Sequence, residues 1–339
     1  MIPNNLIVAG ASAGGLRALS ELVAGLHPDM DAAVVVVMHL PHNSTGLYVC
    51  KKLQPLTNYR CSLAEDGDEI LMGHLYIAPA DGHLLVKETT LHIGKGPQEN
   101  RYKPSINVLF RSAAAAWSNH VIAIILTGLL DDGTAGMIAV KKSGGVTIVQ
   151  DPDDAEYPDM PNAVLKSIAV DYRIPVAAMG DVLKTLTALP QQPTIPAPAD
   201  VLTEASISER VSIGFNEVQQ LGEQSIYACP DCGGGLFEIK DIEGNDRYRC
   251  HVGHAYSEFT LAHRQAEALE STLWVALRMM EERRNLLLKM KRSDEEKGFT
   301  RWLNSYDEKT TDLQKHVDNL KQILFSARHT LPPEISLFH

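Results

Sequence analysis

Leu6-Ile7-Val8-Ala9-Gly10-Ala11-Ser12-Ala13-Gly14-Gly15 sets the reading of this chain. An unbroken apolar run suits a strand covered on both faces, and the small residues after it permit a sharp turn. From Gly15 to Gly25 the apolar positions recur at helical spacing, so the predicted unit is strand, tight turn, helix. Ala32–His39, Val121–Gly128, Gly145–Asp151 and, more weakly, Arg173–Met179 read as further central strands, with helices over Ser105–Trp117 and Gly136–Ser143. This alternation predicts an α/β fold with a doubly wound, mainly parallel sheet. Between the second and third strands, Asp68–Val86 and Thr90–Gly94 alternate in polarity around Met72-Gly73 and Asp81-Gly82, which predicts an antiparallel hairpin insertion turning at those two points.

The turn after the first strand also carries a reactive residue type. Gly10-Ala11-Ser12-Ala13-Gly14 projects a hydroxyl from a strand-to-helix bend, and the helix start, Ala13 included, offers backbone N–H groups for an oxyanion. Two other readings fit the same residues: Ser12 as a plain helix cap, or the loop as a phosphate cradle. The phosphate reading is weakened because Ser12 stands where G-x-G-x-x-G needs its second glycine, and no Walker lysine follows. His39 ends the second strand, and Asp131 and Asp132 follow the third. Ligands of open α/β sheets bind outside the carboxyl ends of strands, so a serine, a histidine and an aspartate converge on one sheet edge. Those are the residue types of acyl transfer, with His39 as proton carrier and an aspartate orienting it. The order Ser, His, Asp differs from that of the α/β-hydrolases.

Composition narrows the class. A formal charge of −11 disfavours a nucleic-acid-coating protein, and no apolar run reaches the length of a membrane span. With no signal-peptide pattern at the start, a cytoplasmic location is expected. Five cysteines in 339 residues are too sparse for a disulfide framework. Cys229 and Cys232 instead form a C-x2-C knuckle, followed by Cys250, His251 and His254. Cys229, Cys232, Cys250 and His254 predict a closed structural zinc site in a zinc-ribbon-like module, with His251 as the alternative fourth ligand. Cys50 and Cys61 read as packing residues.

The first 180 or so residues closely resemble the catalytic domain of the bacterial chemotaxis protein-glutamate methylesterases (CheB). The matching blocks are Gly10–Gly15, Met38-His39-Leu40-Pro41, Tyr76-Ile77-Ala78-Pro79, Asn100-Arg101-Tyr102-Lys103-Pro104-Ser105, Leu126-Thr127-Gly128 through Asp132-Gly133, and Met160-Pro161. The resemblance implies a triad of Ser12, His39 and Asp132, choosing Asp132 over Asp131, with an oxyanion contact from the backbone of Leu129, where a Met is more familiar. It further implies hydrolysis of glutamyl methyl esters on the cytoplasmic helices of methylated chemoreceptors, with release of methanol and, in some relatives, deamidation of receptor glutamines. Arg101 and Lys103 are candidates for binding such acidic helices. The familiar enzymes place a receiver domain ahead of this region, and with Ser12 so early the expectation is control by some other means. A signalling adaptor that uses the hydrolase domain as a binding module is the alternative function.

The expected organisation is a methylesterase domain over 1–189, a Pro-rich linker over 190–205, the zinc-ribbon-like module over 206–256 and a helical hairpin over 257–330. Four prolines within nine residues after Leu189 mark the linker. In the hairpin, Leu269, Leu273, Leu277 and Met280 recur at helical spacing, as do Leu313, Val317, Leu320 and Leu324. Packing of the two stripes on each other is expected, with homodimerisation or docking to a receptor bundle as alternatives.

Overall fold

The computed structural model describes residues 1–40, 46–80, 82–190, 192–209, 219, 221–240 and 246–327. Pro41, Asp81, Gln191, parts of the stretch between 206 and 256, and residues 328–330 fall outside these, although the sequence reading included them. Two compact units divide the chain, Met1–Leu261 and Ala262–His339.

Seven parallel strands make the first unit's main sheet: β1 (Asn5–Ala11), β2 (Ala32–Met38), β3 (Arg60–Leu63), β4 (His74–Ile77), β7 (Val121–Ile125), β8 (Val146–Gln150) and β9 (Tyr172–Ile174). Their order is β3-β4-β2-β1-β7-β8-β9, so β1 is central and the winding reverses beside it. Alternation along β1 divides the core. Leu6 and Val8 face one apolar cluster, while Ile7 and Ala9 face the other, and all four are fully buried. Helices α1 (Gly15–Ala24), α2 (Gly46–Leu53) and α6 (Val176–Thr187) contribute to the Ile7 side. On the Leu6 side lie α3 (Ile106–Trp117), α4 (Thr134–Lys142), α5 (Asp159–Ser167) and a hairpin of β5 (His83–Lys87) and β6 (Thr90–Gly94). With apolar cover on both faces, near-continuous Val and Ile runs are the sequences such strands require.

Three sequence-level expectations change. Met72-Gly73 is no hairpin turn: β4 starts after it and joins β2 and β3 in parallel. The antiparallel pair is β5 with β6, so its turn falls at Glu88-Thr89; the turn expected at Asp81-Gly82 falls on a residue outside those described. Alternating polarity shows a strand but not the direction of its partner, which is why Met72-Gly73 was misassigned. The expected strand over 173–179 shrinks to β9, because Pro175 caps a helix in which Val176, Met179 and Leu183 are buried at spacings of three and four.

A smaller antiparallel sheet of four strands follows: β10 (Glu223–Ala228), β11 (Gly235–Ile239), β12 (Arg247–Cys250) and β13 (Ala255–Ser257), in sequential order. Beginning in the stretch read as linker and running past its end, α7 spans Ala199–Ser208 and buries Glu204. The small sheet is locked to the main domain by charge. Glu99 is bridged by Arg111 and by Arg249 at 2.8 Å, and Glu204 by Arg111 at 2.6 Å and both nitrogens of Arg247 at 2.7 and 2.6 Å. Burial alone would raise both carboxyls, but the guanidinium charges outweigh it and hold each below its ordinary range. Removing one partner of such a set leaves a buried charge uncompensated, at a cost of roughly 3–5 kcal/mol.

In the second unit, the later part of the Glu258–Glu296 helix packs against the helix Leu303–Ala327 through Leu277, Val317 and Leu324. Lys291 pairs with Asp307 and Lys321 with Glu281, so one number rises as the other falls and the helices run antiparallel. Leu269, Trp274, Met279 and Leu286 stay exposed. Among the described residues no helix is long and apolar enough to cross a membrane.

Candidate active site

The carboxyl ends of β1, β2 and β7 meet at the winding reversal, where open α/β sheets leave a crevice. Ser12 follows β1, its N–H donating to the Thr127 carbonyl at 3.0 Å. Gly14 next to it has φ of 71°, a left-handed value that an L side chain resists, and it caps α1. Gly128 is packed as closely: an added Cβ would lie 2.1 Å from Met160 Sδ and 2.8 Å from Ser12 Cβ. The bend carrying Ser12 is therefore gripped from the β7 side.

His39 follows β2, its N–H donating to the Ala11 carbonyl at 3.0 Å. Its Nε2 lies 3.0 Å from Asp132 Oδ2, with the imidazole 8% exposed and the carboxylate fully buried. Asp132 has further partners: Oδ2 accepts from the Ile106 N–H at 2.7 Å, and Oδ1 from Ser105 Oγ at 2.9 Å and the Gly133 N–H at 3.1 Å. The carboxylate thus sits at the N-terminus of α3, whose first N–H groups fix its orientation. His39 Nδ1 is buried with no hydrogen-bond partner among the described residues.

Of the residues singled out in the sequence, the structure brings Ser12, His39 and Asp132 to this one rim, with Ala13 and Leu129 beside it. Arg101 and Lys103 flank Tyr102 on the same loop and are half-buried. Tyr102 gave no signal of its own beyond lying inside a family block. Its ring stacks on His39 with centroids 3.5 Å apart and planes 7° from parallel. Burial, with the charge of Asp132 behind it, pushes the Tyr102 hydroxyl up to about 12, so it stays protonated at neutral pH. Asn100 and Arg101 before it have φ of 49° and 75°. A left-handed non-glycine residue costs about 1–2 kcal/mol, and paired backbone hydrogen bonds between Glu99 and Tyr102, at 3.2 and 3.0 Å, close the turn against that cost. Thr127, Ser105 and Met160, which build the rim, also escaped the sequence reading as site residues.

Asp131 points elsewhere. Its carboxylate accepts hydrogen bonds from Ser257 Oγ and, at 3.0 Å, from Thr260 Oγ1.

The second cluster lies in the small sheet. Cys229 and Cys232 occupy the β10–β11 turn, Cys250 ends β12, and His254 precedes β13. Their ligand atoms all lie within 4.8 Å of one another. Glycines with positive φ, Gly233 and Gly253, shape the two knuckles. His254 rather than His251 completes the set. Cys232 Sγ lies 3.7 Å from Cys250 Sγ, and Cys250 Sγ 3.5 Å from His254 Nδ1. Tetrahedral bonds of about 2.3 Å to sulfur and about 2.0 Å to nitrogen require separations of about 3.8 and 3.5 Å, so the four residues fit a zinc ion. The Cys229 thiol is held far below its ordinary range, first by its hydrogen bond with Cys250 and further by His254 and Tyr256.

Residues 7–183, just over half the chain, match the family model described as CheB methylesterase. The chain belongs to the CheB methylesterase family. It is 34% identical over 187 residues to the "Protein-glutamate methylesterase/protein-glutamine glutaminase 2" of Methanosarcina acetivorans, covering 53% of this chain and 52% of that one. It is 36% identical over 167 residues to a putative protein of the same activities from Leptospira interrogans, covering 49% of this chain and 86% of that one. The chain thus spans about half the length of the first of these curated relatives. The crystal structure of the Thermotoga maritima CheB methylesterase catalytic domain superposes with a TM-score of 0.52 at 31% identity, covering 54% of this chain and 98% of that one. CheB membership accounts for the parallel sheet with its hairpin, and for Ser12, His39 and Asp132 lying in family blocks.

Asp131 yields a pH-dependent expectation. Burial raises its carboxyl above the ordinary value and Asp132 adds to the rise, against the pull of Ser257 and Thr260. A carboxyl with a raised folded pKa destabilises the fold when charged, so its cost is present above that pKa and vanishes as pH falls below the unfolded value. Asp131→Asn keeps an acceptor and removes the charge. We expect a higher Tm than wild type at pH 7, with the gap closing as pH falls through the carboxylate range; a loss of Tm that is the same at both ends would contradict this.

Proposed function

We propose that the chain is a serine hydrolase that cleaves glutamate methyl esters on the cytoplasmic helices of chemoreceptors, releasing methanol, and that it also deamidates glutamine side chains there. The observation that carries the reading is the 3.0 Å pairing of His39 with a fully buried Asp132 on the rim that bears Ser12. The printed activities of the relatives supply the substrate class.

In the proposed reaction Ser12 Oγ attacks the ester carbonyl while His39 takes the hydroxyl proton. The negative charge that develops on the carbonyl oxygen is met by backbone N–H groups at Ala13 and Leu129. Collapse expels the methoxy group, which leaves as methanol with the proton from His39. Water then attacks the acyl-enzyme, again with His39 accepting the proton, and frees glutamate and Ser12. Asp132 fixes the imidazole and stabilises its cation. Arg101 and Lys103 offer positive charge to acidic receptor helices at this rim.

Cys229, Cys232, Cys250 and His254 are proposed to hold zinc. With four protein ligands the ion would have no open position, so what it supplies is a structural tie between the two knuckles and not Lewis-acid chemistry. Self-association or receptor docking through the exposed apolar positions of the long helices is proposed for the tail.

Ser12→Ala should abolish methanol release from membranes bearing methylated receptor, and Asp132→Asn should lower it by on the order of 10³–10⁴. Undiminished release in Ser12→Ala would refute the assignment. For the cluster, metal analysis should return about one zinc per chain, lost in Cys250→Ser. Well under that amount in wild type, with Cys229 and Cys232 free to react with thiol reagents, would refute the zinc reading.

A further inference from the structure

The bend that carries Tyr102 belongs to the main domain, and the small sheet fixes its position from outside. Asn100 donates its N–H to the Ala255 carbonyl at 2.9 Å, and its Oδ1 accepts from the Ser257 N–H at 3.0 Å. Glu99 forms a bridge with Ala255 and carries the charge of Arg249 from the adjoining β12. Asn100 is 5% exposed and Glu99 4%. Every one of these contacts falls on the residues just before Tyr102. The left-handed pair Asn100-Arg101 is closed by the turn's own backbone hydrogen bonds between Glu99 and Tyr102, at 3.2 and 3.0 Å, so the contacts with Ala255, Ser257 and Arg249 fix where that turn sits.

From this geometry we propose that the Cys/His module is a working part of the hydrolase centre: β13 splints the Glu99–Tyr102 bend, and Tyr102 in turn positions the His39 ring by stacking on it. Tyr102 and Asn100 are positioning residues. Neither takes part in bond making; the first confines the imidazole to the plane in which Nε2 meets Asp132, and the second keeps the first in place. The C-terminal module, which lies outside the residues matched by the family model, then controls how well the base is aimed. This inference rests on the reading of His39 as the general base.

The test follows the rate at which a fluorophosphonate labels Ser12 in the full chain, resolved into a binding constant and a limiting rate. Asn100→Gly keeps the left-handed backbone accessible while deleting the side-chain clamp, so it tests the splint without forcing a fold change. Tyr102→Ala deletes the stack and Tyr102→Phe retains it. We expect the limiting rate to fall about tenfold in Asn100→Gly and about tenfold in Tyr102→Ala, with binding little changed, because a small misplacement of a catalytic group costs this much or more. Tyr102→Phe should stay within about threefold of wild type. The double variant Asn100→Gly/Tyr102→Ala should be no slower than Tyr102→Ala alone, because both act through one ring; independent sites would instead multiply to about a hundredfold loss. Multiplying losses, a Phe variant as slow as the Ala variant, or an unaltered Tyr102→Ala would each overturn the proposal. Wild type that takes no label would instead overturn the serine-hydrolase reading, which separates the two failures.

Discussion

Asp132 is the group on which the centre of this molecule depends. One buried carboxylate receives the first turn of α3, the hydroxyl of Ser105, the N–H of Gly133 and the imidazole of His39. Those donors come from three separate parts of the chain: the end of β2, the start of α3 and the loop after β7. An acceptor with donors fixed on several sides is held without reorganisation, which is the property that the orienting role proposed for Asp132 asks of it. The same contacts pin α3 to the sheet, so packing and chemistry share a single group.

A second layer of charge extends that rigidity outward. Arg111, rising from α3, joins Glu99 and Glu204, and these are met by Arg249 and Arg247 of the small sheet. A buried ionic set of this kind contributes little net stability compared with apolar packing but penalises any other arrangement heavily. It therefore specifies where the small sheet docks, and Asp131, held by Ser257 and Thr260, adds a contact one residue from Asp132. The loop with Asp132 and the loop with the stacking tyrosine are both tied to residues 255–260.

Much of the main domain was legible because strands covered on both faces leave unbroken apolar runs, and β1, β2, β7 and β8 each gave one. Ser12, His39 and Asp132 could be grouped because each follows such a run, and strand ends in a parallel sheet share an edge. Less legible were β3 and β4, whose short alternating stretches carry no mark of a parallel partner, and α6, hidden behind Pro175. Tyr102 stayed invisible for a different reason: it meets His39 only in the folded chain, on a bend whose Asn100 touches Ala255 and Ser257, more than 150 positions away. The cysteine spacing pointed to the cluster, while the choice of His254 over His251 needed three dimensions.

The most direct test of the central claim is to titrate the full chain with a fluorophosphonate, map the modified peptide by mass spectrometry, and assay methanol release on the same samples. With Ser12 as the nucleophile, activity disappears in proportion to its labelling and reaches zero at about one label per chain. Methanol release that persists with Ser12 fully modified, or that disappears with the label on another residue, would contradict it.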